Sequence, residues 1–177
     1  IKDFYFHWDQ ELGKRICAMY MGIWGTDTIL QDDGSMSDSF KITNNYESGG
    51  AGLAGTVDAY SIFADALCNN GVGANGVRIL GEEMITLFTK EYTQGVMCSD
   101  FALTGKVGYG YGLGVRVLTD KASSRSPLGE FGWDGAAGAY ILVDPFNHLS
   151  IFYAQHVMAC EKAYSTIHPT IRDLTYE

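Results

Sequence analysis

The sequence predicts an α+β fold in which an antiparallel β-sheet is flanked by helices. Apolar residues with helical spacing occur within about residues 10–90, and alternating apolar residues typical of strands occur within about residues 107–157. A helical composition returns at about residues 161–176. A length of 177 residues, 46% hydrophobic and 13% aromatic, is typical of one domain with a buried core.

Three helices are predicted in the first half of the chain. Apolar spacing predicts an amphipathic helix over residues 10–21. Thr56 is a favourable N-cap for a second helix, which we expect to end at the Asn-Asn-Gly of residues 69–71. A third helix is predicted over residues 82–89.

Strands and turns dominate the part of the chain that follows. Leu113, Val115 and Val117 alternate with other residues and predict a strand. A tight turn over residues 145–148 joins two β-rich runs, which predicts an antiparallel hairpin. Pro169 is expected to break or restart the closing helix.

The charge of the chain excludes some classes of partner. A formal net charge of −9 and scattered basic residues argue against binding to nucleic acid or to an anionic membrane. No apolar run approaches the roughly 20 residues that a membrane-spanning helix needs. The chain begins without Met and without the apolar segment of a signal peptide, so we expect a piece of a longer protein.

The cysteines predict neither a metal site nor a bound cofactor. Cys17, Cys68, Cys98 and Cys160 are widely spaced, form no C-x-x-C motif and have no pair of histidines nearby. We expect them to be buried free thiols, a pattern that weakly favours a cytoplasmic location.

A glycine pattern raises the question of nucleotide binding. Gly50, Gly52 and Gly55 read G-x-G-x-x-G, as in dinucleotide-binding loops. Such a loop follows a hydrophobic strand, and an acidic residue ends a second strand about 20 residues later. The residues before Gly50 are polar, and no such acidic residue follows, so NAD or ATP is not expected. We expect the glycines to shape a tight loop before a capped helix.

Four segments follow one another in an order and spacing that one protein family shares. They are the glycine-rich loop and helix of residues 48–71, the helix of residues 75–89, "YGYGLGVRV" at residues 109–117 and "FGWDGAAGAYILVDPFNHLSIFYAQ" at residues 131–155. Together they resemble the C-terminal half of the serine β-lactamase and penicillin-binding-protein-like hydrolases. Within this family, the chain is most similar to the branch of class C β-lactamases, D-aminopeptidases and related esterases.

The resemblance implies that residues 1–177 form the C-terminal portion of a β-lactamase/transpeptidase-like domain. Such a protein cleaves an ester or amide through an acyl-enzyme, with a Ser in S-x-x-K as nucleophile and a Tyr in Y-x-N assisting proton transfer. Neither motif occurs here: Asp38 occupies the position that S-x-x-K would need in "SDSFK". None of the tyrosines (Tyr46, Tyr60, Tyr92 and Tyr153 among them) has Asn two residues later. We therefore expect no catalytic residue in this chain and no activity from it alone.

The resemblance also assigns a substrate-binding segment. The family's Lys/His-Thr/Ser-Gly motif aligns with Trp133, Asp134 and Gly135, and the next backbone N–H, that of Ala136, would help to hold an oxyanion. Trp133 is similar to the Trp-Gly-Gly of the esterase-like branch. Asp134 would repel a substrate carboxylate, so penicillinase activity is not expected.

Alternative interpretations of these residues and of the whole chain stay open. Trp133 could simply cover the sheet, and Asp134 could be a turn or cap residue. The histidines are expected to be structural or exposed rather than catalytic. They are His7, His148, His156 and His168.

Two functions follow from these interpretations. The chain would belong to a hydrolase acting on a small ester, amide or peptide, or to a non-catalytic binding or scaffolding module of the same fold. An unpaired sheet edge would allow self-association.

Overall fold

A computed structural model describes residues 1–7, 9–34, 47–93, 101 and 105–177. Before residue 90 its elements are β1 (Phe4–Tyr5), α1 (Gln10–Gly13), β2 (Tyr20–Gly22), β3 (Ile29–Gln31), β4 (Ala54–Gly55), α2 (Val57–Cys68) and α3 (Glu82–Phe88). After residue 105 they are β5 (Tyr109–Tyr111), β6 (Arg116–Leu118), β7 (Phe131–Asp134), β8 (Tyr140–Asp144), β9 (Leu149–Tyr153), β10 (Val157–Met158) and α4 (His168–Thr175). The predicted α+β class is confirmed.

The main sheet is antiparallel and has the strand order β5-β6-β7-β8-β9. Side chains alternate between its two faces. Helices α2 and α3 cover one face, and the core between them is a cluster of apolar residues. Its members are Leu67, Cys68, Ile85, Val117, Phe131 and Val143. The other face meets α4, where buried polar residues replace the apolar ones.

The helices α2 and α3 form where local signals predict them. Thr56 Oγ1 accepts a hydrogen bond of 3.1 Å from the N–H of Ala59, which confirms the predicted N-cap. After α2 the chain reverses through Asn70 and Gly71, both with positive φ. The third predicted helix is also confirmed, ending one residue earlier than expected, at Phe88.

The backbone conformation at position 71 and its close neighbours require glycine, so a substitution there should destabilise the fold. Its φ is +82°, and a Cβ there would lie 2.2 Å from the Leu80 carbonyl oxygen. We expect Gly71→Ala to lower the free energy of unfolding by about 2–4 kcal/mol, measured by urea unfolding. Gly76 is the matched control, because its φ is +77° and nothing lies within 4 Å of its Cβ position. Equal losses in both variants would contradict the steric explanation.

Two sequence predictions differ from the structure. The helix predicted over residues 10–21 ends at Gly13, and Tyr20–Gly22 instead forms a strand between β10 and β3. The run at residues 109–117 is a hairpin rather than one strand, because the chain reverses at Gly112, whose N–H donates to the Val115 carbonyl at 2.7 Å. Pairing between distant strands decided the first case, and a glycine turn decided the second.

The hairpin and the extent of the C-terminal helix agree with the predictions. The β8–β9 turn over residues 145–148 is closed by Asp144, whose Oδ1 accepts from the N–H of Phe146 at 3.0 Å. Helical turns run from residue 161 through a π-helical turn over Ala163–Ile167 into α4, and Pro169 lies in the first turn of α4. The prediction that Pro169 breaks or restarts the helix is wrong, because the helical run is continuous from residue 161 to residue 175 and changes only from π-helical to α-helical turns beside the proline.

The last glycine of the G-x-G-x-x-G segment, Gly55, takes part in strand pairing. Gly55 lies in β4, opposite Phe4 of β1, and a Cβ at Gly55 would lie 2.5 Å from the Phe4 ring. Glycine at this position therefore allows two chain segments to approach closely just before α2 begins. Among the helices that the structure describes, none is long and apolar enough to cross a membrane.

The cysteines differ in their exposure. Cys68 lies in the core, where burial raises the pKa of its thiol to about 11. Cys17 is exposed and Cys160 is half-buried, so the prediction of buried thiols is wrong for Cys17. Cys98 lies outside the described residues, as do Asp38 and Tyr46 of the motif search.

Candidate functional site

The predicted site residues lie at the end of β7 and in the turn to β8. Successive side chains of a strand point to opposite faces. Trp133 is therefore on the α2/α3 face, where 39% of its surface is exposed. The carboxylate of Asp134 points to the α4 face, where only 4% of its side chain is exposed. Gly135 and Ala136 begin the turn, and Ala136 is exposed.

Trp133 belongs to a small aromatic group. Its ring stacks on Phe101 with the centroids 6.2 Å apart, and it meets Tyr111 edge-on at 5.6 Å. Phe101 and Tyr111 also meet edge-on, at 5.8 Å. Such pairs hold large rings in fixed positions. The group forms an exposed apolar wall beside the turn.

Asp134 is the centre of a buried set of ion pairs. Its carboxylate contacts the ammonium of Lys106, and it lies 3.4 Å from His168 Nδ1 and 3.9 Å from Arg116 Nε. Burial alone would raise the pKa of Asp134, but His168, Arg116 and Lys106 together hold it well below its usual value. The side chain is thus an ionised carboxylate turned away from the exposed face. Its predicted role in substrate binding stays a prediction.

The ion pairs continue between the sheet and α4. The Arg116 guanidinium lies between the rings of Tyr109 and Tyr140, at 5.3 and 4.8 Å from their centroids. Tyr109 Oη donates to the carboxylate of Glu130 at 2.6 Å and accepts from Arg172 Nη1 at 3.0 Å. Burial raises the pKa of Glu130 and brings that of Tyr109 to about 12. This polar layer fastens α4 to the sheet beneath the turn.

The β7–β8 turn is bound through its carbonyl groups. The hydroxyl of Tyr164 lies 2.9 Å from the carbonyl oxygens of both Gly135 and Ala136. His168 Nε2 lies 2.9 Å from the Gly138 oxygen, and because a carbonyl only accepts, the Nε2–H group is the donor in this contact. The N–H of Val157 donates to the Ala137 oxygen at 3.0 Å. The carbonyl groups of residues 135–138 therefore all accept hydrogen bonds from the segment that follows β9.

The orientation of these carbonyls determines that of the next N–H. In a trans peptide, the C=O of one residue and the N–H of the next point in opposite directions. The Gly135 carbonyl points towards Tyr164, so the Ala136 N–H points away from Tyr164. No hydrogen-bond partner for this N–H occurs among the described residues. The turn therefore presents a free backbone donor on its exposed side.

The side chains of the remaining histidines hydrogen-bond residues outside the turn. His7 pairs with Glu47 at 3.2 Å, and His148 Nδ1 lies 3.2 Å from the Cys68 carbonyl oxygen. His156 Nδ1 lies 3.3 Å from the Cys17 carbonyl oxygen. Of the four histidines, His168 is the one whose side chain hydrogen-bonds the turn.

Sequence reasoning missed most of the buried layer. Lys106, Arg116, Tyr164 and Arg172 are not among the site residues that the sequence predicts. A signal for Arg116 was present, because an arginine between the valines of an apolar strand must find charged or aromatic partners when it is buried. Nothing local indicated which partners those would be.

Comparison with proteins of known sequence gives partial matches. No protein-family model matches the chain. "Uncharacterized protein MT1414" of Mycobacterium tuberculosis strain CDC 1551 / Oshkosh is 36% identical over 111 residues. "Protein Rv1367c" of strain H37Rv gives the same values. Each match covers 59% of this chain and 27% of the relative.

Comparison with solved structures identifies the class of fold. EstCE1, a hydrolase with promiscuous acyltransferase activity, matches with a TM-score of 0.74 and 18% identity over 100% of this chain and 47% of its own. A mutant of simvastatin synthase (LovD) from Aspergillus terreus matches with a TM-score of 0.77 and 14% identity, and the match covers 99% of this chain and 46% of the mutant's chain.

Both neighbours have the serine β-lactamase/transpeptidase-like fold, so the chain has this fold too, and the fold that the sequence resemblance predicts is confirmed. The chain spans about half the length of these solved structures. That residues 1–177 are the C-terminal portion of the domain stays a prediction.

Proposed function

We propose that this chain is the C-terminal portion of a serine hydrolase that cleaves an ester or amide through an acyl-enzyme. The nucleophile and its base would be contributed by a part of the protein outside these residues. The observation that carries the proposal is the free N–H of Ala136 beside the aromatic wall of Trp133.

A backbone N–H in this position can stabilise a developing oxyanion. In acyl transfer the carbonyl oxygen of the substrate gains negative charge, and fixed donors aimed at it are among the largest contributions to catalysis. The Ala136 N–H is held in place because the carbonyl of its own peptide, that of Gly135, and the other three carbonyls of the turn are all hydrogen-bonded. A second donor would come from the part of the protein that carries the nucleophile.

The surroundings of the turn favour neutral substrates with an apolar or aromatic group. Trp133, Phe101 and Tyr111 provide an apolar wall whose rings are already held by each other. Lys106 is ion-paired with Asp134 on the other face, so its charge is compensated. A β-lactam or D-Ala carboxylate would therefore lack this cation as a partner. An ester or neutral amide fits better than a penicillin.

The proposal is tested with the chain and with the longer protein that carries it. The chain alone is expected to give no burst with p-nitrophenyl butyrate or nitrocefin, whereas the longer protein should hydrolyse the ester and react with a fluorophosphonate probe. Neutral phenyl esters should be better substrates than nitrocefin. A longer protein that neither hydrolyses esters nor reacts with the probe would contradict the proposal.

A non-catalytic module of the same fold is the second candidate. The observation that favours it is that neither S-x-x-K nor Y-x-N occurs in the 177 residues. The sequence that precedes this chain in the longer protein distinguishes the two. Both motifs in order there support the hydrolase, and their absence supports a binding or scaffolding role.

Self-association is a further expectation for the chain alone. Among the described strands, β9 is the outer strand of the main sheet next to β8. An outer strand can pair with another chain unless something covers it. We expect a concentration-dependent dimer in light scattering over the micromolar range. A monomer at all these concentrations would contradict this expectation.

A further inference from the structure

Tyr164 and His168 connect the exposed turn to the buried ion pairs. Both residues follow β10, in the π-helical turn and at the first position of α4, and their rings meet edge-on at 5.5 Å. π-Helical turns of this kind often occur at functional sites. Their polar atoms reach three of the four carbonyls of the turn.

Each of these two side chains is itself held in place. The ammonium of Lys106 lies 5.6 Å from the centre of the Tyr164 ring. The His168 ring stacks on Tyr140 at 4.7 Å, and its Nδ1 lies 3.4 Å from the carboxylate of Asp134. His168 is only 3% exposed. The contacts of Asp134 thus limit the positions that both rings can take.

The hydrogen bond of Tyr164 acts on the same peptide plane as the proposed oxyanion donor. One hydroxyl proton is shared between the Gly135 and Ala136 oxygens, so it restrains two successive peptide groups. Without it, the one hydrogen bond left to the peptide between Gly135 and Ala136 from the described part of the chain is the turn bond from the Gly138 N–H, at 2.9 Å. Rotation of that peptide would move the Ala136 N–H away from the substrate.

We infer that Tyr164 and His168 are positioning residues, which hold the Ala136 N–H in the direction of the substrate oxyanion without touching the substrate. This inference rests on the proposed hydrolase function. It assigns a catalytic consequence to the C-terminal segment, whose side chains hydrogen-bond the carbonyl groups of the turn.

The main test is Tyr164→Phe in the longer protein, because this change removes only the hydroxyl. We expect kcat for a phenyl ester to fall by about 10- to 100-fold, less than for loss of the donor itself, while KM changes less than about threefold. Tyr176→Phe is the matched control. It removes a hydroxyl of the same segment that donates to Asp144 at 2.8 Å, far from the turn. A kcat equal to that of the control would overturn the inference.

A second pair of variants tests His168. Glutamine can donate to the Gly138 oxygen and leucine cannot. We expect His168→Gln to keep more of kcat than His168→Leu, when both are compared at temperatures below their unfolding midpoints. Equal losses of kcat in the two variants would count against a positioning role for His168.

Amide hydrogen exchange of the chain itself tests the inference separately from hydrolysis. The Gly135 and Gly138 amides donate within the turn, at 2.7 and 2.9 Å. Their exchange should be about tenfold faster in Tyr164→Phe than in Tyr176→Phe. If the longer protein proves inactive, the proposed function fails, yet faster exchange would still support the control of the turn by Tyr164. Equal exchange in the two variants would overturn it.

Discussion

Replacing Asp134 by asparagine is expected to lower the free energy of unfolding by about 3–5 kcal/mol. The carboxylate is buried and contacts Lys106, with Arg116 and His168 within 4 Å. Asparagine has nearly the same shape but no charge, so the buried cations lose their counter-charge. Since a domain of this size is stable by only about 5–15 kcal/mol, the loss should be clear in urea unfolding at pH 7.

Because the pKa of Asp134 is lowered in the folded chain, we expect the stability of the fold to depend on pH. In the folded chain the pKa of Asp134 lies well below the value of about 3.9 that it has when unfolded. Its stabilising effect is therefore fully present above about pH 5 and is lost as the pH falls below 4 towards the folded pKa. The difference in unfolding free energy between wild type and Asp134→Asn should accordingly shrink between pH 5 and about pH 3.

An exposed ion pair supplies the control for this substitution. Asp27 pairs with Lys162 at 2.5 Å, and both side chains are largely exposed. We expect Asp27→Asn to change the free energy of unfolding by less than about 1 kcal/mol. If Asp134→Asn has an equally small effect, the buried ion pairs do not hold α4 to the sheet.

Replacing Ala136 by proline is expected to reduce kcat of the longer protein by about 100-fold or more. Proline has no N–H, so the substitution removes the proposed oxyanion donor. Ala136 is the second residue of a turn closed by the bond from the Gly138 N–H to the Gly135 oxygen, and proline is favoured at this position of a β-turn. The substitution should thus leave the fold intact. Steady-state hydrolysis of a phenyl ester and thermal unfolding of the same variant provide the measurements.

Ala136→Ser controls for any change of side chain at this position. Serine keeps the backbone N–H, and the side chain of Ala136 is exposed. We expect kcat within about threefold of wild type and an unchanged unfolding midpoint. If the proline variant hydrolyses the ester as fast as the serine variant, Ala136 is not an oxyanion donor. The aromatic wall would then be the only part of the proposed site that this chain supplies.

The parts of the fold that the sequence predicts correctly depend on short-range interactions. The N-cap at Thr56 requires only a hydroxyl and an N–H three residues later. The β8–β9 turn is closed by Asp144 within its own four residues. Trp133 through Ala136 could be located by resemblance because their motif is contiguous in sequence. Such features are encoded locally and can be recognised without knowing the fold.

The features that sequence reasoning missed depend on residues far apart in the chain. Tyr20–Gly22 becomes a strand because β10, more than 130 residues later, pairs with it. Asp134 and Lys106 are 28 residues apart, and Asp134 and His168 are 34 apart. No pattern around any one of these residues indicates the others, because burial and ion pairing arise only when the sheet and α4 meet.

The sequence by itself determined the fold class, the two central helices and the hairpin, and it predicted the segment from Trp133 to Ala136 as the substrate-binding segment. Tertiary structure alone decided the direction of each side chain in that segment: Trp133 outwards to the aromatic wall, Asp134 inwards to Lys106. It also decided that the turn is anchored by Tyr164 and His168. The physical reason is that hydrogen bonds and caps act over a few residues, whereas the buried charges need partners that only the folded chain brings together.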